Sequence, residues 1–239
     1  MPNKHRIFLT LATVLFISYE FVLFILILWG KTDQTAELEF SAVVMAAVFA
    51  GLCLTEAPHQ ILTAVALGCT VVADFCLEIL QPMQQTYAMI FFLMVQICYA
   101  IRLFLLLKTN RWRVINLVLR VVLSLIAVII TVAVLRDKFD VLSCLSILYY
   151  TNLILNVVLA SAEFPRAPLL ASGLWLFLCC DTFVGLQCAA DVYLNLPADS
   201  ILGRIIFAPF NFAWFFYIPA QVCLALSAKP KNQTTDELF

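Results

Sequence analysis

Apolar residues run along this chain in eight stretches separated by short polar breaks. At about 20 residues per membrane-spanning helix, the pattern predicts helices near 7–29, 40–54, 60–80, 86–107, 114–135, 140–161, 168–190 and 204–228. The second stretch is the shortest. The breaks carry turn and helix-end residues: Gly30 to Asp33, Glu56 to His59, Gln81-Pro82, Lys108 to Arg113, Arg136 to Lys138, Phe164 to Pro168, and Asn195 to Asp199. Connections this short make consecutive helices antiparallel neighbours. The first stretch, Ile7 to Trp29, exceeds a signal-peptide core and has no small-residue cleavage site after it, so it reads as a span.

Composition agrees. Hydrophobic residues make up 64% and charged residues 12%, and mean hydropathy is +1.02, far outside the soluble range. The expectation is one all-α integral membrane domain over residues 1–239, in contact with membrane lipids. A formal net charge of −1 and the lack of a basic tail imply no nucleic-acid partner. Nine cysteines form no CxxC pair, and free Cys inside spans packs as a small apolar group. The two histidines, His5 and His59, lie near span ends, so a His-based metal site is not expected. Oligomeric state is not encoded in any of these features.

Lysines and arginines outside the spans set orientation. Lys4, Arg6, Lys108, Arg111, Arg113, Arg166, Lys229 and Lys231 fall on one side, against Lys31, Arg136, Lys138 and Arg204 on the other. The excess predicts a multi-pass protein with both termini in the cytoplasm.

The candidate chemistry is acidic. The stretch Leu67 to Leu80 (LGCTVVADFCLEIL) carries Asp74 well inside a span, with Glu78 a turn later, and Gly173 to Gln187 (GLWLFLCCDTFVGLQ) carries Asp181. Ionisable groups at such depth are expensive and mark functional sites. At 1.5 Å rise per residue, Asp74, Asp181 and Glu20 each lie about 20 Å from the cytoplasmic end, with Gln96, Tyr99, Asn152, Tyr217 and Gln221 at about 10 to 16 Å. A polar cavity at that level is expected. Arg102 and Arg120 lie close to their cytoplasmic ends, where snorkelling to the interface is the ordinary behaviour. That leaves four acids without basic partners. Burial and like charge favour the neutral form of a carboxyl, so at least one acid is expected to stay protonated near neutral pH, as a general acid must. Spans three and seven each carry Gly then Asp, and the span after each carries Tyr and Gln. This echo leaves open whether the bundle consists of two parallel four-helix halves.

These residues give the chain its resemblance to the YhhN, or lysoplasmalogenase-like, family of eight-span membrane proteins. The resemblance covers most of the chain and rests on four pieces. Gly68 to Leu80 resembles the family's small-residue stretch with its Asp, and Phe91 to Phe104 (FFLMVQICYAIRLF) the aromatic span that follows. Gly173 to Leu186 resembles the Gly, apolar run and Ser-Asp signature, and Phe216 to Ser227 (FYIPAQVCLALS) the closing span with its Tyr and Ala-Gln. Two positions depart: Gln96 stands where the family usually has His, and Cys180 where it has Ser.

The resemblance implies a membrane hydrolase that cleaves the vinyl ether of lysoplasmalogens, giving a fatty aldehyde and a glycerophospho-alcohol. It implies Asp74 and Asp181 as catalytic residues, no metal or cofactor, and a lysolipid that reaches the site within the bilayer. Glu78, Gln96, Tyr99, Tyr217 and Gln221 are the expected substrate-binding residues. Two other classes fit the intramembrane acids: a small proton-coupled transporter, and a lipid-binding family member that has lost activity with the histidine.

Overall fold

The computed structural model describes residues 3–29, 35–55, 57–190, 203 and 210–230. Among them every element is helical: α1 (Asn3–Trp29), α2 (Thr35–Leu52), α3 (Pro58–Asp74), α4 (Gln85–Leu106), α5 (Asn110–Leu135), α6 (Val141–Ala162), α7 (Pro168–Ala189) and α8 (Phe212–Leu226). A π-helical turn (Phe75–Ile79) follows α3, and a 3-10 turn (Arg136–Lys138) closes α5. Local sequence explains the starts. Pro58 and Pro168 occupy the first turn of α3 and α7, where a missing N–H breaks no helical bond. The side chains of Thr109, Asp140 and Asn211 accept from the backbone N–H of Trp112, Ser143 and Trp214, capping α5, α6 and α8.

Among the described residues six helices are long and apolar enough to cross a membrane: α1, α3 with its π turn, α4, α5, α6 and α7. The protein is a multi-pass helical membrane protein. Helix α2 reaches at least five residues before the predicted 40, and Glu37 lies in its first described turn. The eighth predicted stretch, 204–228, begins outside the described residues, and its described part is α8.

Helix α2 packs on α3, α3 on α4, α4 on α6, α6 on α7, α7 on α8, and α8 back on α2, closing a ring of six. Helix α1 lies against α2 and α8, and α5 against α6. Four of these contacts recur after four helices, whereas α1–α8 has no comparable counterpart between α5 and α4. The contacts α1–α2, α2–α3, α3–α4 and α2–α8 have the counterparts α5–α6, α6–α7, α7–α8 and α6–α4. Outward faces are apolar, as on α5 at Val118, Val122, Leu125 and Ile129. Alanines and leucines of α2, α3, α7 and α8 fill the middle, including Ala46, Ala66, Leu67, Leu174, Ala220 and Leu224, all fully buried.

The two intramembrane arginines turn inward rather than snorkel. Arg102 is 5% exposed and Arg120 6%. Arg102 donates to the Thr63 hydroxyl on α3, the Ser227 hydroxyl (2.7 Å) and the Ser227 carbonyl (2.8 Å), tying α4 to α3 and the end of α8. Arg120 donates to the side-chain oxygens of Asn116 (2.8 Å), Asn152 (3.2 Å) and Asn156 (2.7 Å), with its guanidinium 5.3 Å from the centre of the Phe104 ring. A guanidinium has five donors in a rigid fork. Hydroxyls and amides of the neighbouring helices, with Asn116 one turn back on α5 itself, supply acceptors inside, so neither head needs the interface.

Candidate functional site

Asp74 is the last residue of α3 proper. The π turn starts directly after it, shown by the Leu80 N–H bonding the Phe75 carbonyl five residues back at 3.1 Å. A continuous α-helix through Leu80 was the sequence expectation. Inserted π turns re-aim neighbouring side chains and recur at functional sites. Asp74 is buried and accepts a 2.6 Å hydrogen bond from the Tyr217 hydroxyl of α8.

Asp181, on α7, is half-buried and accepts from the Tyr149 hydroxyl of α6. The two acids lie within reach of each other's charge, and Asp74 also feels Glu78. Four helices thus contribute to one layer. A row of rings joins the two pairs: Trp214 to Tyr217 (5.0 Å between centroids), Tyr217 to Phe177 (5.5 Å), Phe177 to Phe92 (6.3 Å) and Phe92 to Tyr149 (5.7 Å). The carboxyl–phenol pairs are therefore set among aromatic faces, which hold each hydroxyl in one direction.

The other sequence-derived residues take different places. Glu78, half-buried on the π turn, shares its field with Glu39, a buried acid of α2 that the sequence reading did not single out. Gln96 is fully buried but accepts from Asn156, on the side of the Arg120 network rather than the acids. Tyr99 is fully buried, and its hydroxyl has no partner among the described residues. Gln221 is likewise buried, with neither amide atom partnered there, and the same holds for both Glu20 oxygens. Arg102 and Arg120 direct their donors to hydroxyls, amides and a carbonyl, so neither binds these acids.

Sequence reasoning missed Glu39, Asn156 and, at the acids themselves, Tyr149. A signal existed: Tyr149, Asn152 and Asn156 recur at three- and four-residue spacing, one polar stripe along a largely apolar helix.

Among the described residues no three His, Cys, Asp or Glu side chains gather as metal ligands would. What the layer offers is two carboxyls in a shared field, each oriented by a phenol. Such a pair can hold one proton and one negative charge at the same time. No curated protein and no solved structure matches the chain. The YhhN family model matches residues 38–228, and the chain belongs to the YhhN family.

Proposed function

We propose that this protein hydrolyses the vinyl ether of lysoplasmalogen-type lysolipids, with Asp74 and Asp181 as its acid–base pair. The observation that supports it most is the layer itself. In a chain of the YhhN family, two intramembrane carboxyls share one field, and each is aimed by a tyrosine. We place all eight helices in the bilayer as two parallel four-helix halves, as the recurring neighbour pattern suggests, with both termini in the cytoplasm.

The chemistry asks for little else. A carboxylic acid protonates the β-carbon of the vinyl ether, and the double-bond electrons form the new C–H bond. The resulting oxocarbenium ion is captured at its α-carbon by water, which gives up a proton to the second carboxyl. The hemiacetal then collapses to a fatty aldehyde and the glycerophospho-alcohol. Each aspartate accepts one tyrosine hydroxyl, but Asp74 is buried whereas Asp181 is half-buried and so better able to carry a charge. We therefore assign Asp181 as the anion facing the cation and Asp74 as the acid. Gln96 bonds Asn156, a position that suits binding rather than proton transfer.

The direct test is purified protein in micelles with an alkenyl lysolipid, measuring free aldehyde. The wild type is expected to release it, and Gln96→His is expected to change the rate by less than about tenfold, the scale of a positioning contact. A silent wild type with an active Gln96→His would show instead that the histidine is required. A silent pair would remove the hydrolase reading.

Tyr149→Phe probes the anion. Removing one preorganised donor from a catalytic charge typically costs about 10²-fold, so kcat is expected to fall by that order with KM nearly unchanged. An unaltered kcat would show that Tyr149 only packs.

A further inference from the structure

Gln96 is fully buried, yet its amide nitrogen meets no partner among the described residues. Its orientation follows from its neighbours. Arg120 can only donate, so its Nη2 bond turns the Asn156 oxygen toward the guanidinium and the Asn156 nitrogen away. That nitrogen donates to the Gln96 backbone carbonyl (2.9 Å) and to Oε1 (3.0 Å). Nε2 is left as the free end. A buried donor with no acceptor is costly, and a ligand oxygen would relieve the cost. Behind this donor stands a buried guanidinium whose bonds here go to three neutral asparagines. A donor backed by an uncompensated cation suits an anion.

Position narrows the ligand. Phe92 lies one turn before Gln96 on α4, about 6 Å along the axis, and its ring packs on Tyr149, the partner of Asp181. On α6, Asn156 lies two turns from Tyr149, about 10 Å along the axis. In a lysolipid the phosphorus is six bonds from the vinyl-ether carbon that water attacks. At about 3.8 Å for every three bonds of an extended chain, that is about 7 to 8 Å.

We infer that Gln96 Nε2 receives the phosphate of a single-chain ether phospholipid whose ether oxygen lies at Asp74 and Asp181. Asn156 and Arg120 act behind it as positioning residues. The inference rests on the ether-hydrolase reading of the two acids, and it makes the protein selective for phosphorylated ether lipids over their neutral alcohols.

The test uses ligands that cannot turn over. A saturated 1-O-alkyl-glycerophosphocholine lacks the double bond that is protonated, and a 1-O-alkylglycerol of the same chain lacks the phosphate as well. Binding of each to the purified protein in micelles is measured by titration. The wild type is expected to bind the phosphorylated ether at least about tenfold more tightly, the scale of one hydrogen bond to a charged group. Gln96→Met is expected to bring the ratio within about twofold by weakening only the phosphorylated ligand. Gln96→His, which keeps an N–H donor, is expected to retain the preference. Millimolar inorganic phosphate is expected not to displace the lipid. No preference in the wild type would overturn the inference, whatever the variants do. An unchanged ratio in Gln96→Met would also overturn it, and displacement by phosphate alone would make this a free-anion site. Nothing is hydrolysed in this assay, so its failure leaves aldehyde release to judge the enzyme separately.

Discussion

Asp74→Asn and Asp181→Asn are each expected to lower aldehyde release by about 10³-fold, within the range that general acid–base groups contribute. Asparagine keeps the shape of the side chain and one oxygen to accept the tyrosine hydroxyl, so the helix contacts survive. It cannot protonate carbon, and it carries no charge to steady an oxocarbenium ion. The two acids act as a unit, so the double variant is expected to be little worse than either single one. The measurement is kcat at saturating lysolipid, on variants whose elution profiles match the wild type. Either single variant keeping a tenth or more of the wild-type rate would remove that aspartate from the chemistry. Strictly additive losses would show that the two do not share one proton-transfer sequence.

The other large effect is expected at a glycine. Gly173 faces α8 so closely that a Cβ there would lie 2.8 Å from Leu224 Cγ and 3.1 Å from the Leu224 backbone nitrogen. The flexible end of Leu224 can swing aside, but its backbone cannot. Gly173→Ala is therefore expected to destabilise by about 1–3 kcal/mol, the usual scale of overpacking, and Gly173→Val by more. Activity should fall with it, because α8 carries the tyrosine that aims Asp74 and α7 carries Phe177, whose ring touches that tyrosine. Gly68 supplies the contrast. A Cβ there meets nothing within 4 Å, so Gly68→Ala is expected to be neutral or to stabilise by up to about 1 kcal/mol, the helix-propensity difference. Thermal unfolding in detergent compares the two. Equal tolerance at both glycines would show that α7 and α8 have room to spare.

The same two glycines show how far the sequence could be read. Gly68 and Gly173 each precede an aspartate in matching spans, and the pattern alone treats them alike. Only the packing tells them apart, because close approach depends on which helix lies opposite. Asp74 and Asp181 were legible because a carboxyl in an apolar run is rare enough to be informative by itself. Tyr149 was not singled out, since an amphipathic ring inside a span has many ordinary uses. The arginines were misjudged because depth along a helix says nothing about the acceptors on its neighbours. The π turn after Asp74 was invisible for a related reason: its sequence, FCLEI, has no glycine or proline to mark it. The family was legible because its motifs are short ordered strings, which survive without knowledge of contacts.

The pairing of Asp74 with Tyr217 has a consequence for how the protein is made. The partners lie 143 residues apart in the chain. At roughly 5 to 20 residues per second, a ribosome that has just added Asp74 takes about 7 to 30 s to reach Tyr217. Asp181 has no such wait, because its partner Tyr149, 32 residues earlier, has already been synthesised. During the interval the first acid must be tolerated in the membrane, or held at its edge, without the hydroxyl that later aims it. Premature termination between Asp74 and α8 would leave that state permanent, with an acid lacking its hydroxyl partner as a mark that quality control could read.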